Sequence, residues 1–297
     1  MKKVRTQEIA LKWGVSDRTI RNYIEKGLID NVQKIGKIWY LNSDTKKPEI
    51  KRHNKINILK ELLKEKENKK KGSLYHYSQI VFAYNSNKIE GSRLSEEQTQ
   101  EIYETNSYIP KQKEVVKLDD AIETRNHFRL FDYMLENVNK KITKKMLIDM
   151  NVILKRNTSD ESNPIYNIGG FKIEENEIGS FVNPILTSKP KNVEKDLDKL
   201  LVDYNSKTKI NIEDITDFHY RFEKIHPFAD GNGRVGRMIM FKECLRNNIV
   251  PFIVFDDKRA FYMRGLKEYK KEKGYLIDTI LYEQDIYEKV VNKYLKK

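Results

Sequence analysis

The stretch that most constrains this chain is HPFADGNGRVGR, residues 226–237. It places a histidine, a carboxylate, an amide, three glycines and two arginines within twelve residues. Apolar residues resume at helical spacing directly after it, at Met238, Phe241 and Leu245. We therefore expect the glycine turn to lead the chain into the N-terminus of a helix.

A helix that begins at a glycine turn is suited to binding an oxyanion. Glycines let backbone N–H groups approach the anion, and the helix dipole favours negative charge at that end. Gly231, Asn232 and Gly233 form this turn. Arg234 and Arg237 follow three residues apart, on one face, where two guanidinium groups can bind phosphate oxygens. The pattern predicts a polyphosphate ligand better than a lone carboxylate.

The same stretch holds the two residue types that phosphoryl-group chemistry requires. A base must lie near the attacking hydroxyl, and a carboxylate must hold a divalent metal on the phosphates. His226 and Asp230 can take these roles. Each feature alone is more often structural, since a single histidine is commonly a buried hydrogen-bonding residue and a GNG string is commonly a turn. The combination in this order favours a catalytic site.

The string HPFADGNGRVGR resembles the signature of the Fic family, HxFx(D/E)GNGRxxR, at every defined position. Members of that family transfer AMP from ATP to a Ser, Thr or Tyr hydroxyl of a protein and release pyrophosphate. The resemblance implies that His226 is the general base and that Asp230 holds Mg²⁺ against the α- and β-phosphates. It further implies that Arg237 engages the γ-phosphate. The ATP-binding residues implied in this stretch are Gly231, Asn232, Gly233, Arg234 and Arg237.

A second motif, SNKIEG, lies at residues 86–91. Ser86 and Glu90 are four apart and share one helical face, and Gly91 is placed to end the helix. Alone this is an ordinary helix end. It resembles the inhibitory motif (S/T)xxxE(G/N) of Fic proteins whose inhibitory helix, here about residues 78–91, precedes the catalytic core. The resemblance implies that Glu90 pairs with Arg237, occupies the partner of the γ-phosphate and keeps the enzyme off by default.

Glycines, prolines and alternation in residues 170–190 predict a β-hairpin. This stretch, the flap segment, resembles the Fic flap, which pairs with an extended part of the target protein. The resemblance assigns ATP contacts to Gly179, Ser180 and Phe181. Family members often have an arginine at the position of Lys172 and a more proline-rich flap, so details of the target do not carry over. Tyr262 stands where family members place an aromatic ring against adenine, and a packed tyrosine is the alternative.

The N-terminus predicts a small winged helix-turn-helix domain similar to MerR-like and excisionase proteins. Thr6 to Glu25 read as two short helices interrupted by Gly14-Val15-Ser16, and the following alternating stretch suggests a hairpin that turns at Gly36. Ser16 can cap the second helix, whose exposed face would enter a major groove. The alternative is a helix pair that binds protein. The candidate DNA contacts are Ser16, Arg18, Arg21, Asn22, Lys34 and Lys37.

The distribution of charge supports this interpretation of the N-terminus. Residues 1–72 contain 20 Lys and Arg and 9 Asp and Glu, whereas the other 225 residues contain 37 and 35. Nearly all of the net charge of +13 therefore lies in the first quarter of the chain. Such a local excess is typical of nucleic-acid binding, although Lys-rich proteins from A·T-rich genomes can carry it as a solvated surface.

The remaining composition predicts a soluble cytoplasmic protein without a membrane partner. The single cysteine, Cys244, cannot form an intrachain disulfide, and no Cys or His cluster has zinc spacing. The longest apolar run, Ile249 to Phe255, contains a proline. The N-terminus lacks the apolar core of a signal peptide.

The sequence thus predicts a mainly α fold, a Fic-type helical bundle with a β-hairpin flap behind a winged helix-turn-helix. The expected domains are residues 1–50, a charged helical linker at 51–72 and the Fic domain at 73–297. The apolar stripe of the linker is either a packed helix or a homodimer contact. The expected partners are ATP with Mg²⁺, a hydroxyl of a target protein or of the protein itself, and duplex DNA.

Two functions stay open on the sequence alone. The protein is either an AMP-transferring enzyme or a DNA-binding regulator whose Fic domain mainly senses nucleotide. The intact His226 favours the enzyme, because a pure sensor needs no base there. Transfer of another nucleotide group, or removal of AMP by the same site, is also open.

Overall fold

The computed structural model describes residues 2–36, 38–48, 57–110, 115, 117–178 and 185–295. The chain divides into two compact units, Met1–Arg52 with Lys258–Tyr282 and His53–Asp257 with Glu283–Lys297. The first unit thus adds a segment from late in the chain to the domain expected at residues 1–50. Sequence order did not indicate this grouping, because it depends on contacts between distant residues.

The described residues form the following helices and strands, in chain order. They are β1 (Lys3–Arg5), α1 (Thr6–Trp13), α2 (Asp17–Glu25), β2 (Gln33–Ile35), β3 (Ile38–Asn42), α3 (Ile58–Glu67), α4 (Leu74–Ile89), α5 (Glu96–Thr105), α6 (Leu118–Glu136), α7 (Lys144–Lys155), β4 (Glu177–Ile178), β5 (Ile185–Leu186), α8 (Val193–Asn205), α9 (Ile212–Ile225), α10 (Asn232–Arg246), α11 (Arg259–Glu268) and α12 (Gly274–Leu295).

In the first unit, two short helices pack on a three-stranded antiparallel sheet in which β3 lies between β1 and β2. Gly14, at a φ of 64°, ends α1, and the Ser16 side chain caps α2 by accepting a hydrogen bond from the Thr19 N–H. The helices and the β2–β3 hairpin lie where the sequence pattern predicts them. Strand β1 was not predicted, because three residues carry little periodic signal.

The second unit is built around α10, whose residues from Asn232 to Leu245 are buried with the exception of Gly233, which is half-buried. Helices α4, α6, α7 and α9 all contact it. Large apolar side chains surround it, among them Phe82, Phe131 and Phe222. Because α10 is enclosed on all sides, none of its faces is exposed to solvent. The two arginines near its start therefore lie in surroundings that exclude water.

Helix α3 falls in the segment predicted as a linker, and its apolar stripe packs inside the second unit. Leu62 is fully buried, and the Glu65 carboxylate accepts a hydrogen bond from the backbone N–H of Tyr75 at the start of α4. The packed helix is therefore the alternative that the described residues favour. No helix in the described part of the chain is long and apolar enough to span a bilayer.

Strands β4 and β5 pair antiparallel within the flap segment, with Glu177 opposite Leu186 and Ile178 opposite Ile185. The residues that join them, 179–184, lie outside the described residues. The predicted ATP contacts Gly179, Ser180 and Phe181 are among these.

Candidate active site

The loop between α9 and α10 carries His226 and Asp230, and backbone geometry fixes its shape. His226 ends α9 in the left-handed conformation, with φ at 51° and ψ at 63°, and its N–H donates to the Phe222 carbonyl at 2.8 Å. A residue with a side chain adopts this conformation at a cost. The Asn232 side chain compensates by bonding both the N–H and the carbonyl of Phe228, at 2.9 and 2.8 Å.

Asn232 therefore acts through its side chain as a brace for the loop. The resemblance implies that it cradles phosphate, but its side-chain amide is buried and bonded to Phe228. Its position as the first residue of α10 still places its backbone N–H at the helix start, after Gly231 at a φ of 86°. The glycine turn thus leads into a helix N-terminus as the sequence predicts.

His226 has a buried carboxylate beside it. The Nδ1 atom of His226 lies 3.5 Å from Oε2 of Glu223, and the histidine side chain is 17% exposed. Burial disfavours charge on Glu223, but His226, His219 and Arg237 together hold the pKa of that carboxyl below its usual value. An ionised carboxylate at Nδ1 would direct Nε2 outward as the basic nitrogen.

Glu223 was not among the site residues predicted from the sequence. The signal was available, because Glu223 precedes His226 by three residues, and residues at that spacing on a helix share a face. His219 lies behind the pair, with Nε2 3.9 Å from Oε1 of Glu223. Complete burial lowers the pKa of His219 to about 4, so this imidazole is neutral near pH 7.

Asp230 lies among cations at the mouth of α10. Its Oδ2 atom accepts from Arg234 Nη2 at 2.8 Å and from the ammonium of Lys155. Burial disfavours the charged carboxylate, but the charges of Arg234 and Lys155 outweigh burial and hold the pKa of Asp230 well below its usual range. Asp230 is therefore ionised at all working pH values, as a metal ligand requires.

Two further carboxylates lie near Asp230. One oxygen from each of Glu123, Asp160 and Asp230 lies within 4.8 Å of the others, and the Lys155 ammonium contacts all three. Carboxylate oxygens are the ligands that Mg²⁺ prefers, and Asp230, whose side chain is 41% exposed, is the member of this group that fits such an ion. Glu123 and Asp160 were not predicted, because they lie 107 and 70 positions before Asp230 and no local pattern links them to it.

Arg234 and Arg237 point in different directions although they are three residues apart. Arg234 is 3% exposed, and its two terminal nitrogens contact Glu123 and Asp230. The expectation that it binds phosphate therefore competes with two carboxylates that already bind it. Its observed contacts orient Asp230.

Arg237 reaches α4 and meets the predicted inhibitory residues. Its Nη2 atom lies 2.7 Å from Oε1 of Glu90 and 2.9 Å from the Ser86 carbonyl, and its Nε donates to the Ser86 hydroxyl at 3.0 Å. The helix begins at Leu74, four residues before the predicted start, and Gly91 has a φ of 98° just beyond its end. Glu90 comes so close to Gly233 that a Cβ there would lie 2.2 Å from Oε1.

Lys172 contacts both the flap segment and the residues at the end of α9, next to His226. Its ammonium donates to Asn176 Oδ1 at 2.6 Å, to the Thr187 hydroxyl at 2.7 Å and to the Ile225 carbonyl at 3.4 Å. Its backbone N–H donates to the Pro227 carbonyl at 2.8 Å. Burial lowers the pKa of Lys172 to about 8. One side chain therefore joins both strands of the flap segment to the residues around His226.

Tyr262 lies in α11 of the first unit and is 1% exposed. Such burial favours the packed tyrosine over a ring that waits for adenine, and stacking on adenine stays a prediction.

Of the predicted DNA contacts that the structure describes, all except Ser16 are exposed on the first unit. Arg18, Arg21, Asn22 and Lys34 are exposed, and Lys37 lies outside the described residues. The hydroxyls of Ser16 and Thr19 instead donate to the two carboxylate oxygens of Asp278 on α12. Asp278 was not predicted, since nothing in the sequence links it to a residue 262 positions earlier.

The chain is similar in sequence to known proteins. Residues 141–244 match the Fic/DOC family. A protein adenylyltransferase Fic of Nematostella vectensis is 27% identical over 188 residues, which are 60% of this chain and 40% of that protein. Protein adenylyltransferase fic-1 of Caenorhabditis elegans is 27% identical over 192 residues, 63% of this chain and 36% of that protein. The chain thus spans about two fifths of the length of these relatives.

The fold is also similar to solved structures. A Fic domain containing signaling protein from Bacteroides thetaiotaomicron superposes with a TM-score of 0.62 over 81% of this chain and 94% of that chain, at 18% identity. At this identity the similarity concerns the fold alone. The chain is thus similar to Fic proteins in sequence over residues 141–244 and in fold over most of its length.

Proposed function

We propose that this Fic-domain protein, whose homologues include protein adenylyltransferases, transfers AMP from ATP to a hydroxyl of a protein. The observation that carries the proposal is the placement of His226 beside the buried Glu223, on the loop that leads into the N-terminus of α10. A base, an ionised carboxylate and a helix N-terminus are the groups that nucleotidyl transfer needs in one place.

His226 would act on the attacking group. It takes the proton of the target hydroxyl, whose oxygen attacks the α-phosphorus, while the bond to the pyrophosphate oxygen breaks and pyrophosphate leaves. Glu223 stabilises the imidazolium that forms and fixes the tautomer beforehand. The 3.5 Å separation is longer than an ordinary hydrogen bond, and such contacts commonly tighten when substrate binds.

The phosphates would lie at the start of α10. The backbone N–H groups of Asn232 and Gly233 face anions at the helix start, and Arg237 is the cation for the γ-phosphate. Asp230 would hold Mg²⁺, which neutralises charge on the phosphates when bound. Arg234 keeps Asp230 in place.

We further propose that Glu90 keeps the enzyme inactive. The Glu90 carboxylate already pairs with Arg237, so ATP must displace this carboxylate before its γ-phosphate can bind Arg237. Glu90 is 34% exposed whereas Arg237 is 2% exposed, so the acid can leave while the arginine stays fixed. The contact with Ser86 keeps the arginine aligned in either state.

Labelled ATP tests the transfer. The Glu90→Gly variant is incubated with a cell lysate and ATP labelled on either the α- or the γ-phosphate, and modified residues are mapped by mass spectrometry. Kinases of the lysate also transfer γ-label, so each sample is compared with the same lysate that received Glu90→Gly/His226→Ala. We expect additional protein-bound α-label and no additional γ-label. Additional γ-label without α-label would assign phosphoryl transfer instead and overturn AMP transfer.

The base assignment has its own test. The change His226→Ala should reduce transfer by about 10²–10⁴-fold, because it removes general-base catalysis. Nucleotide affinity, measured by titration calorimetry, should change little, since other groups hold the phosphates. Equal transfer by His226→Ala and by its parent would remove His226 from the mechanism.

A second proposed function, binding of duplex DNA, rests on the first unit. Arg18, Arg21 and Asn22 share the exposed face of α2, and Lys34 lies on the adjacent hairpin. Arginine and asparagine are residue types that bind base edges or phosphates in the major groove. Of the predicted contacts described, Ser16 differs, since its hydroxyl is bound to Asp278.

Selection from random duplexes, followed by binding assays at several salt concentrations, tests DNA binding. We expect an enriched sequence, an affinity that falls steeply with salt, and loss of most specific binding in Arg18→Ala/Arg21→Ala. AMP transfer by the double variant should be unchanged. If no sequence is enriched and the double variant binds as wild type does, the unit is better explained as a protein-docking module.

A further inference from the structure

Lys155 fills the space between the three carboxylates near the active site. Its side chain is 2% exposed, and its Nζ atom lies 2.5 Å from Oε1 of Glu123 and also contacts Asp160 and Asp230. An ammonium has three donors, so each carboxylate receives one hydrogen bond. A cation built into the chain therefore already occupies the centre of the group that could hold a metal ion.

Charge balance shows what Lys155 changes. Glu123, Asp160 and Asp230 carry three negative charges, and Lys155 and Arg234 carry two positive charges. Without Lys155, the charges of this group would be one guanidinium, which contacts Glu123 and Asp230, and three carboxylates whose oxygens lie within 4.8 Å of one another. Such a group of oxygen donors is the kind that binds Mg²⁺, Mn²⁺ or Ca²⁺.

We propose that Lys155 is a resident cation that prevents a free divalent ion from binding at this group. A metal then reaches Asp230 only together with the phosphates of a nucleotide. Both cations contact the same oxygen of Asp230, Oδ2, so the second oxygen is the one that can meet a phosphate-bound ion. This last step rests on the proposed function, whereas exclusion of the free ion does not.

The exposures of the three acids support this division of roles. The Asp230 side chain is 41% exposed, whereas those of Glu123 and Asp160 are 14% and 17% exposed. Glu123 and Asp160 thus hold the ammonium from the protein side, and Asp230 faces solvent. A nucleotide can approach Asp230 while Lys155 stays in place.

Lys155→Met tests the inference, because methionine keeps most of the volume of lysine and removes its charge. Lys242→Met is the matched control, since Lys242 is also fully buried and paired with a buried acid, Glu243, but lies outside the three-carboxylate group. Melting temperatures are measured without nucleotide, with and without MgCl₂, MnCl₂ or CaCl₂, at constant ionic strength. Binding of Mn²⁺ is measured by electron paramagnetic resonance.

Both variants should melt below wild type, because each removes a buried cation from the carboxylates that it contacts. Divalent ions should restore the melting temperature of Lys155→Met only, since a bound ion stabilises the folded state. Its affinity for Mn²⁺ should exceed that of wild type by roughly tenfold or more, because a like charge no longer opposes the ion. If Lys155→Met binds Mn²⁺ no better than Lys242→Met, Lys155 is only a structural ion-pair partner and the proposal is wrong.

If Lys155→Met does not fold, Mn²⁺ binding by wild type and by Lys155→Arg tests the proposal. Both keep a cation at the centre of the three-carboxylate group and should bind Mn²⁺ weakly without nucleotide. Tight binding to wild type that Asp160→Asn abolishes would overturn the proposal. None of these measurements uses AMP transfer, so a failed transfer assay and a failed metal assay are distinguishable.

Discussion

The active-site region of the second unit and the exposed face of α2 in the first unit use the same residue types in opposite surroundings. Around α10, Lys155, Arg234 and Arg237 are each at most 3% exposed, and each contacts at least one carboxylate. On α2, the side chain of Arg21 is 53% exposed and pairs only locally, with Asp17 one turn away.

The difference determines how each region responds to mutation. A buried cation depends on individual partners, since removal of one partner leaves a charge that water cannot reach. An exposed cation is screened by salt and contributes as one member of a group. Single substitutions should therefore have large effects near α10 and small, salt-dependent effects on α2.

After the loss expected for His226→Ala, the next largest effect should be a gain of activity in Glu90→Gly. It removes a charge-assisted contact of about 1.5–3 kcal/mol from Arg237, which corresponds to roughly ten- to hundredfold in the competition with the γ-phosphate. Transfer of AMP, including self-modification, should rise by this order when followed with α-labelled ATP. Glu97→Gly, on α5, is a control that should leave the rate unchanged. If Glu90→Gly transfers AMP at the wild-type rate, Glu90 is not inhibitory and the SNKIEG motif is only an ordinary helix end.

An intermediate effect is expected at Lys172, where the charge is buried but titrates. Its pKa of about 8, against 10.5 for an ordinary lysine, means that the ammonium loses its proton just above physiological pH. If AMP transfer requires the charged Lys172 ammonium, activity falls about fivefold between pH 8 and pH 9, because the protonated fraction of Lys172 falls by that factor. Lys172→Arg keeps its charge and should hold its activity across this range.

The lowered pKa of Lys172 affects stability in the opposite direction, so that the free energy of unfolding rises with pH while activity falls. Between pH 8 and pH 10.5 the unfolded chain keeps a proton that folded Lys172 has released, so this group makes the free energy of unfolding rise with pH. Lys172→Arg should lack that contribution. Identical pH profiles of transfer and stability for the two proteins would show that Lys172 does not titrate in this range.

The smallest effect should come from Asp278→Asn in the first unit. The carboxylate at the start of α2 occupies a helix end that favours anions, in an interaction worth about 0.3–1 kcal/mol. Its neutralisation should raise DNA affinity about two- to fivefold at low salt, with less gain at high salt. Fluorescence anisotropy with the selected duplex measures this. A lower affinity would mean that Asp278 supports the DNA-binding conformation of α2.

Local pattern was enough to predict the helices of the first unit and the loop that leads into α10. The stretch from Thr6 to Glu25 predicted α1 and α2, and the GNG string predicted the start of α10. The four-residue spacing of Ser86 and Glu90 also predicted that they share a helical face, and in the structure both contact Arg237. These features depend on residues a few positions apart, where backbone geometry fixes which side chains meet.

Roles set by distant residues were not predictable in this way. Arg234 was expected to bind phosphate, but Glu123, which lies 111 positions earlier, draws it toward Asp230. Asn232 was predicted to cradle phosphate, and its side chain is bonded to Phe228. In both cases a residue type suited to an anion has a nearer partner within the protein.

The sequence by itself determined the residue types of the catalytic loop, the helical spacing around it and the basic first quarter of the chain. Only the tertiary structure decided which buried charges are paired, with Lys155 among three carboxylates, Glu223 behind His226 and Asp278 at the start of α2. The physical reason is that helical periodicity is a local property of the chain. A buried charge instead takes its partner from whatever residue the packing brings within a few ångströms, and sequence distance places no limit on that choice.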